Sequence, residues 1–330
     1  MEKERLKYID IAKGIGIFLV VWGHLISDGF IDNLIYSFHM PLFLFLSGYM
    51  LRARNVELTS MLVKRRIKQL LLPYFYFSAA YLIWELVVIR ESIVGLIYMA
   101  YQTITFRGMA PLWFLGSLFF AEMVFLVLIK KNNKLAAVVT ILLAIAHLLF
   151  GDDVDFSHLS GFISNSLLFV VRTSLCVPIL ACGYGAAYIC SKTRLARMGR
   201  TGWLILFGLL LAVCGGVVAA TALNVNVHLY DIDNMWLFTI TAVAGSMAIL
   251  ALSMVIRKQY VLEELGKNSL LLMAVHYPVT QILKNYTHFE HWAITAIVSF
   301  FVSGLLITMI CVGKYLMLKL SKKLFVKVKT

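Results

Sequence analysis

The chain has 330 residues, of which 61% are apolar and only 14% charged, with a formal net charge of +13. A soluble domain carries nearer a quarter charged residues, so this composition excludes a soluble globular fold. The basic residues sit in short loops between apolar blocks rather than on one polar face, which argues against nucleic acid as a partner.

The apolar blocks recur from end to end, each about the 20 residues needed to cross a hydrocarbon core. The expected fold is therefore all-α: a polytopic membrane protein with about ten transmembrane helices, both termini cytoplasmic, and residues 1–330 forming one membrane-embedded domain. The predicted spans are 9–27, 34–51, 69–89, 112–129, 134–150, 166–190, 203–223, 235–256, 269–286 and 292–314. The first has a basic flank and an apolar run from Ile15 to Ile26, but no small-residue cleavage site follows, so it reads as a retained span. Stretch 93–106 is followed by Arg107, Gly108 and Pro111 and is too short to span comfortably. It reads as a re-entrant or interfacial segment on the outer side.

Charge orients this map. With residue 1 in the cytoplasm, all but five of the 30 Lys and Arg side chains fall on the inner side. Arg90, Arg107 and Lys284 fall outside, and Lys13 and Arg172 lie within spans. The outer loops are acidic, with Asp28, Asp32, Asp152, Asp153, Asp155, Asp231 and Asp233. This is the asymmetry that sets membrane orientation. No internal repeat is evident, which weighs against an inverted-repeat transporter. Cys176, Cys182, Cys190, Cys214 and Cys311 have no metal-ligand spacing and read as small packing residues.

Ionisable side chains inside a bilayer are expensive and usually face the bundle interior. Asp10 and Lys13 lie one turn apart at the inner end of the first span and can pair there. The same residues also fit an interfacial ion pair with Lys13 snorkelling. His24 follows Lys13 by eleven residues, close to three full turns and roughly 16 Å, so the two share a helix face. His39 lies a few residues into the second span, after the short turn from Ser27 to Asn33, and an antiparallel hairpin brings it to the depth of His24. The basic loop from Arg52 to Lys68 carries Arg65, Arg66 and Lys68 just before the third span. It reads either as plain inside charge or as a cradle for phosphates. Glu85, Glu122 and Arg172 can form ion pairs within the bundle, His276 belongs to a site or to helix packing, and His147 reads as packing. His288 and His291 lack a third ligand, and no metal is expected.

Two imidazoles at one depth suit acyl transfer. A neutral imidazole takes the proton of an attacking hydroxyl, and a second orients the first or steadies the developing oxyanion. A glycan or lipid-linked sugar transporter fits the topology equally well.

Five motifs in order carry a resemblance. They are IDIAKGIGIFLVVWGH with Lys13 and His24, FHMPLFLFLSGYML from Phe38 to Leu51, KRRIKQLLLPY from Lys64 to Tyr74, PLWFL from Pro111 to Leu115, and GKNSLLLMAVHYP from Gly266 to Pro278. Together they resemble the acyltransferase-3 family of bacterial membrane O-acyltransferases, above all its short, fucose 4-O-acetylase-like members. The sequence departs from the family in having Lys13 where many members have Arg, and Arg65 with Lys68 where members often carry two arginines three apart. The resemblance implies acyl-CoA, usually acetyl-CoA, as donor, a sugar or cell-surface glycan hydroxyl as acceptor, and the bacterial inner membrane as location. It implies His24 and His39 as catalytic residues and Lys13, Arg65, Arg66 and Lys68 as donor-binding residues. Asp10, Glu122, Arg172 and His276 are the expected supporting polar groups.

Overall fold

The computed structural model describes residues 6–26, 29–156, 161–193 and 198–284, with scattered positions between 301 and 313. Almost all of it is helix. In chain order the elements are α1 (Lys7–Gly23), α2 (Phe30–Ala53), α3 (Ser60–Ile89), α4 (Ile93–Ile104), α5 (Trp113–Lys131), α6 (Asn133–Phe150), α7 (Gly161–Lys192), α8 (Arg200–Thr221), α9 (Met235–Ile256), α10 (Tyr260–Lys267) and α11 (Ser269–Lys284). A hairpin of two short strands, β1 (Val225–Asn226) and β2 (Asp231–Ile232), interrupts the helices between α8 and α9.

Among the described residues seven helices are long and apolar enough to cross a membrane. They are α2, α3, α5, α6, α7, α8 and α9, which correspond to the second to eighth predicted spans. The first and ninth predicted spans form helices of 17 and 16 residues, short of that length. The tenth, 292–314, lies outside the described residues apart from those scattered positions, as do Ser27, Asp28, His288, His291, Cys311 and the basic tail 314–330. Stretch 93–106 forms the short helix α4, which stops where Phe106 and Gly108 adopt positive φ.

Local chemistry sets the boundaries. Thr59, Ser92 and Asn132 each accept a backbone N–H at the start of α3, α4 and α6. Asp152 does the same for α9 from a distant loop, its carboxylate accepting Met235 N–H at 2.7 Å. Pro73 cannot donate to the carbonyl one turn before it, and α3 takes a π-helical turn over Ile67–Leu71 just ahead of it. The outer faces are apolar: Ile205, Leu209 and Val213 form an exposed stripe on α8, and Val138, Leu142 and Leu149 lie exposed on α6. Stripes of this kind are stable only against lipid. This is a multi-pass membrane protein.

The chain falls into two compact units. The first combines residues 1–32 with 256–330, and the second is residues 33–255. In each, a pair of helices meets backbone to backbone through glycine. In the first unit a Cβ on Gly266 would overlap the Asp10 carbonyl, and one on Gly14 would overlap the Leu262 carbonyl. α1 and α10 therefore touch along two turns. In the second unit Gly48 meets the Leu180 carbonyl and Gly183 meets that of Phe45, which joins α2 to α7 in the same way. Small residues drive such contacts in membranes because lipid supplies no hydrophobic force between helices.

Replacement of Gly266 by Ala is expected to push α1 from α10 at a cost of about 1–3 kcal/mol. Gly216→Ala, whose new Cβ meets open space, is the control. Thermal unfolding of the purified protein in detergent should show a lower midpoint for the first substitution only. Equal midpoints would remove the contact's importance.

Candidate functional site

In the first unit, α1 carries Asp10, Lys13 and His24. Asp10 is buried in the first turn, where a carboxylate complements the helix dipole. Lys13 is half-buried one turn on. His24 caps the far end of α1, half-buried, its backbone N–H donating to the Val20 carbonyl at 3.1 Å. The carbonyl end of a helix is a place where positive charge is favoured.

α11 brings a second imidazole to His24. The His276 ring lies 5.1 Å from it, centroid to centroid, with the planes 36° apart. The Tyr277 ring meets His24 edge-on at 6.0 Å. His276 is fully buried, and its Nδ1 lies 2.9 Å from the Leu272 carbonyl. A carbonyl only accepts, so Nδ1 carries the proton and Nε2 is a bare acceptor. That Nε2 is buried and has no hydrogen-bond partner among the described residues. A buried acceptor left unmatched costs about 1–3 kcal/mol.

In the second unit, His39 is buried on α2 and donates from Nδ1 to the Ile35 carbonyl at 2.8 Å, one turn back. Tyr36 packs edge-on against it at 4.9 Å. Lower on α2, Ser47 donates to the Glu122 carboxylate of α5, and the other oxygen of that carboxylate lies 2.9 Å from Arg66 Nε on α3. Glu122 is buried. Of the four basic residues expected to bind the donor, three lie on α3: Arg66 turns inward to a carboxylate and also donates to Gln69 at 3.2 Å, while Arg65 and Lys68 are exposed.

The expected ion pairing of Glu122 with a cation is made by Arg66, not by Arg172. Arg172 of α7 is fully buried and has no carboxylate partner among the described residues. Its guanidinium donates instead to the His228 carbonyl at 2.7 Å, to the Phe106 and Arg107 carbonyls at 3.0 and 3.1 Å, and to Ser117 Oγ at 3.3 Å. It also lies 4.6 Å over the Trp113 ring. One cation thereby ties two loops to the core: the turn after α4 and the β1–β2 hairpin. The helix period that separates core from lipid faces said nothing of this, because the partners are backbone carbonyls in loops. Glu85 is half-buried at the end of α3. His147 spends both ring nitrogens on Tyr230 OH, at 2.6 Å, and Ser174 Oγ, at 3.0 Å, as a packing histidine does.

The sequence reading overlooked His228, in the hairpin, and Tyr277. His228 stacks on Trp113 at 5.9 Å. Burial, and next the Arg172 charge, push its imidazole down to about 3, so it is neutral at physiological pH. An unfolded chain binds a proton on this ring near pH 6.5, which the folded chain refuses, so the stability it confers is full above that pH and is lost as pH falls toward 3. The melting midpoint of the wild type should therefore drop between pH 7 and pH 5 by more than that of His228→Gln. Parallel drops in detergent would show that this ring titrates freely in the fold.

A model of the acyltransferase-3 family, described as an acyltransferase domain, matches residues 6–313. No curated protein and no solved structure matches the chain. The family match takes in α1 with Lys13 and His24, α2 with His39, the Arg66–Glu122 pair and α11 with His276. The chain therefore belongs to the acyltransferase-3 family and is a multi-pass membrane acyltransferase.

Proposed function

We propose that this protein transfers an acyl group, acetyl by preference, from cytoplasmic acyl-CoA to a hydroxyl of a sugar or cell-surface glycan in a bacterial plasma membrane. The observation that carries the reading is the single face of α1. It has a half-buried ammonium, Lys13, near one end and a half-buried imidazole, His24, at the other. A phosphate-bearing donor is recognised by cations, and its thioester is separated from its phosphates by a long, flexible arm. A spacing of roughly 16 Å along a helix suits such a donor.

In this reading Lys13 meets the CoA phosphates, and the resemblance gives the exposed Arg65 and Lys68 a donor-binding role as well. Arg66 supports them through its contact with Glu122, which holds the start of α3 to α5. The acceptor hydroxyl approaches His24. As its oxygen attacks the thioester carbon, its proton passes to the imidazole of His24, and the carbonyl oxygen becomes an oxyanion. The carbon–sulfur bond then breaks, and the departing thiolate takes the proton back from the imidazolium. The imidazolium forms at the carbonyl end of α1, where the helix dipole stabilises it. The resemblance gives His39 a catalytic part as well, and its tautomer is fixed by the Ile35 carbonyl.

Membranes from cells producing the protein retain their own glycans and provide the test. Given radiolabelled acetyl-CoA, they should release thiol and pass label to glycan. His24→Ala should lower both by about a hundredfold or more, at unchanged protein level. Turnover near the wild-type rate in that variant would end the assignment, and label transport without thiol release would favour a carrier.

A further inference from the structure

We infer that His276 is the positioning residue of His24: its bare Nε2 accepts the hydrogen bond of a His24 ring N–H, which leaves the other His24 nitrogen unprotonated and aimed at the acceptor hydroxyl. The inference rests on the acyl-transfer reading for its catalytic consequence, but the contact itself does not.

Four observations carry it. The two rings lie 5.1 Å apart. Two imidazoles joined by an N–H···N bond of roughly 3 Å have their centres at about this distance. The His276 tautomer is already set, because Leu272 O can only accept from Nδ1. Nε2 has no other hydrogen-bond partner among the described residues and is sealed from water, so nothing competes for it. Finally, both rings belong to the first unit, where α1 is locked to the 256–284 segment through Gly14 and Gly266. Among the described residues, two titratable rings that meet His24 are His276 and Tyr277, both from α11. On its own helix Lys13 and Asp10 lie three turns or more away.

A neutral second imidazole in this role does what a carboxylate does for other catalytic histidines. It selects the tautomer, fixes the ring and stabilises the imidazolium as it forms, without placing a buried negative charge in the membrane. The Nδ1 proton of His276 stays on its ring. The only proton that moves is the one His24 takes from the acceptor and returns to the thiolate.

The test uses His276→Phe, which keeps a ring but no acceptor, and His276→Gln, which keeps an amide oxygen that can accept. Carbethoxylation of His24, followed by peptide mass spectrometry against pH, reads the basicity of that ring without any turnover. The Phe variant should shift the half-modification point of His24 down by about one pH unit. Its kcat with acetyl-CoA should fall about tenfold or more, with KM for acetyl-CoA unchanged and the acid limb of the pH–rate profile shifted the same way. The Gln variant should recover part of both effects. An unmoved half-modification point and unmoved acid limb in the Phe variant would overturn the inference, as would a loss of kcat that Gln does not relieve. If the wild type releases no thiol, the acyl-transfer reading fails, and the His24 titration still decides the contact.

Discussion

The structure depends on helices whose backbones touch. In lipid, apolar side chains gain nothing by leaving their surroundings for one another, so helix pairs are held by close packing and polar contact. Glycine lets two main chains reach that distance. Gly14 and Gly266 do so between α1 and α10, and Gly48 and Gly183 do so between α2 and α7. The first pair sets the height of α1 against the segment that continues into α11. Any larger residue would slide or tilt one helix along the other. The ring contact of His24 with His276 lies a few turns further on, so its existence is a consequence of that register.

The second constraint is the handling of buried cations. Arg66 and Arg172 solve it in opposite ways. Arg66 is partly exposed and has a buried carboxylate beside it, so its charge is locally cancelled. Arg172 is wholly buried and surrounds itself with carbonyl oxygens, a hydroxyl and an indole face. Its charge is spread over dipoles that cannot leave without unfolding two loops. The first arrangement suits a segment whose neighbours, Arg65 and Lys68, stay open to an anion. The second suits a fixed framework. For the first pair the costly change is removal of Arg66, which would strand the buried Glu122 carboxylate.

Much of this was legible in the sequence, for physical reasons. Long apolar stretches announce spans, and seven of those expected form helices of sufficient length and apolarity. Helical periodicity alone places Lys13 and His24 on one face. Other features depend on contacts that periodicity cannot see. His24 and His276 stand near opposite ends of the chain, and only the packing of α10 and α11 on α1 brings their rings together. The short turn after the first helix is what brings His39 to the depth of His24 in the sequence, whereas the same sequence leaves His276 open between a site and helix packing. Glu122 and Arg172 look like natural partners by charge, yet each satisfies itself elsewhere. The hairpin at 225–232 is too short to announce itself, and His228 gains its character only from Arg172 and Trp113 around it.

A polar group with no partner is the most informative feature of such a protein, since a membrane interior tolerates few of them. Among the described residues one such group is the Nε2 of His276, whose ring lies 5.1 Å from that of His24. The most direct check on the acyl-transfer account lies in the product rather than the protein. Mass spectrometry of surface glycans from cells carrying the wild-type gene should show a component heavier by one acyl group. That component should vanish when the gene encodes Ala at position 24 and return with the wild-type copy. An acyl-bearing component unchanged between the two strains would contradict the account.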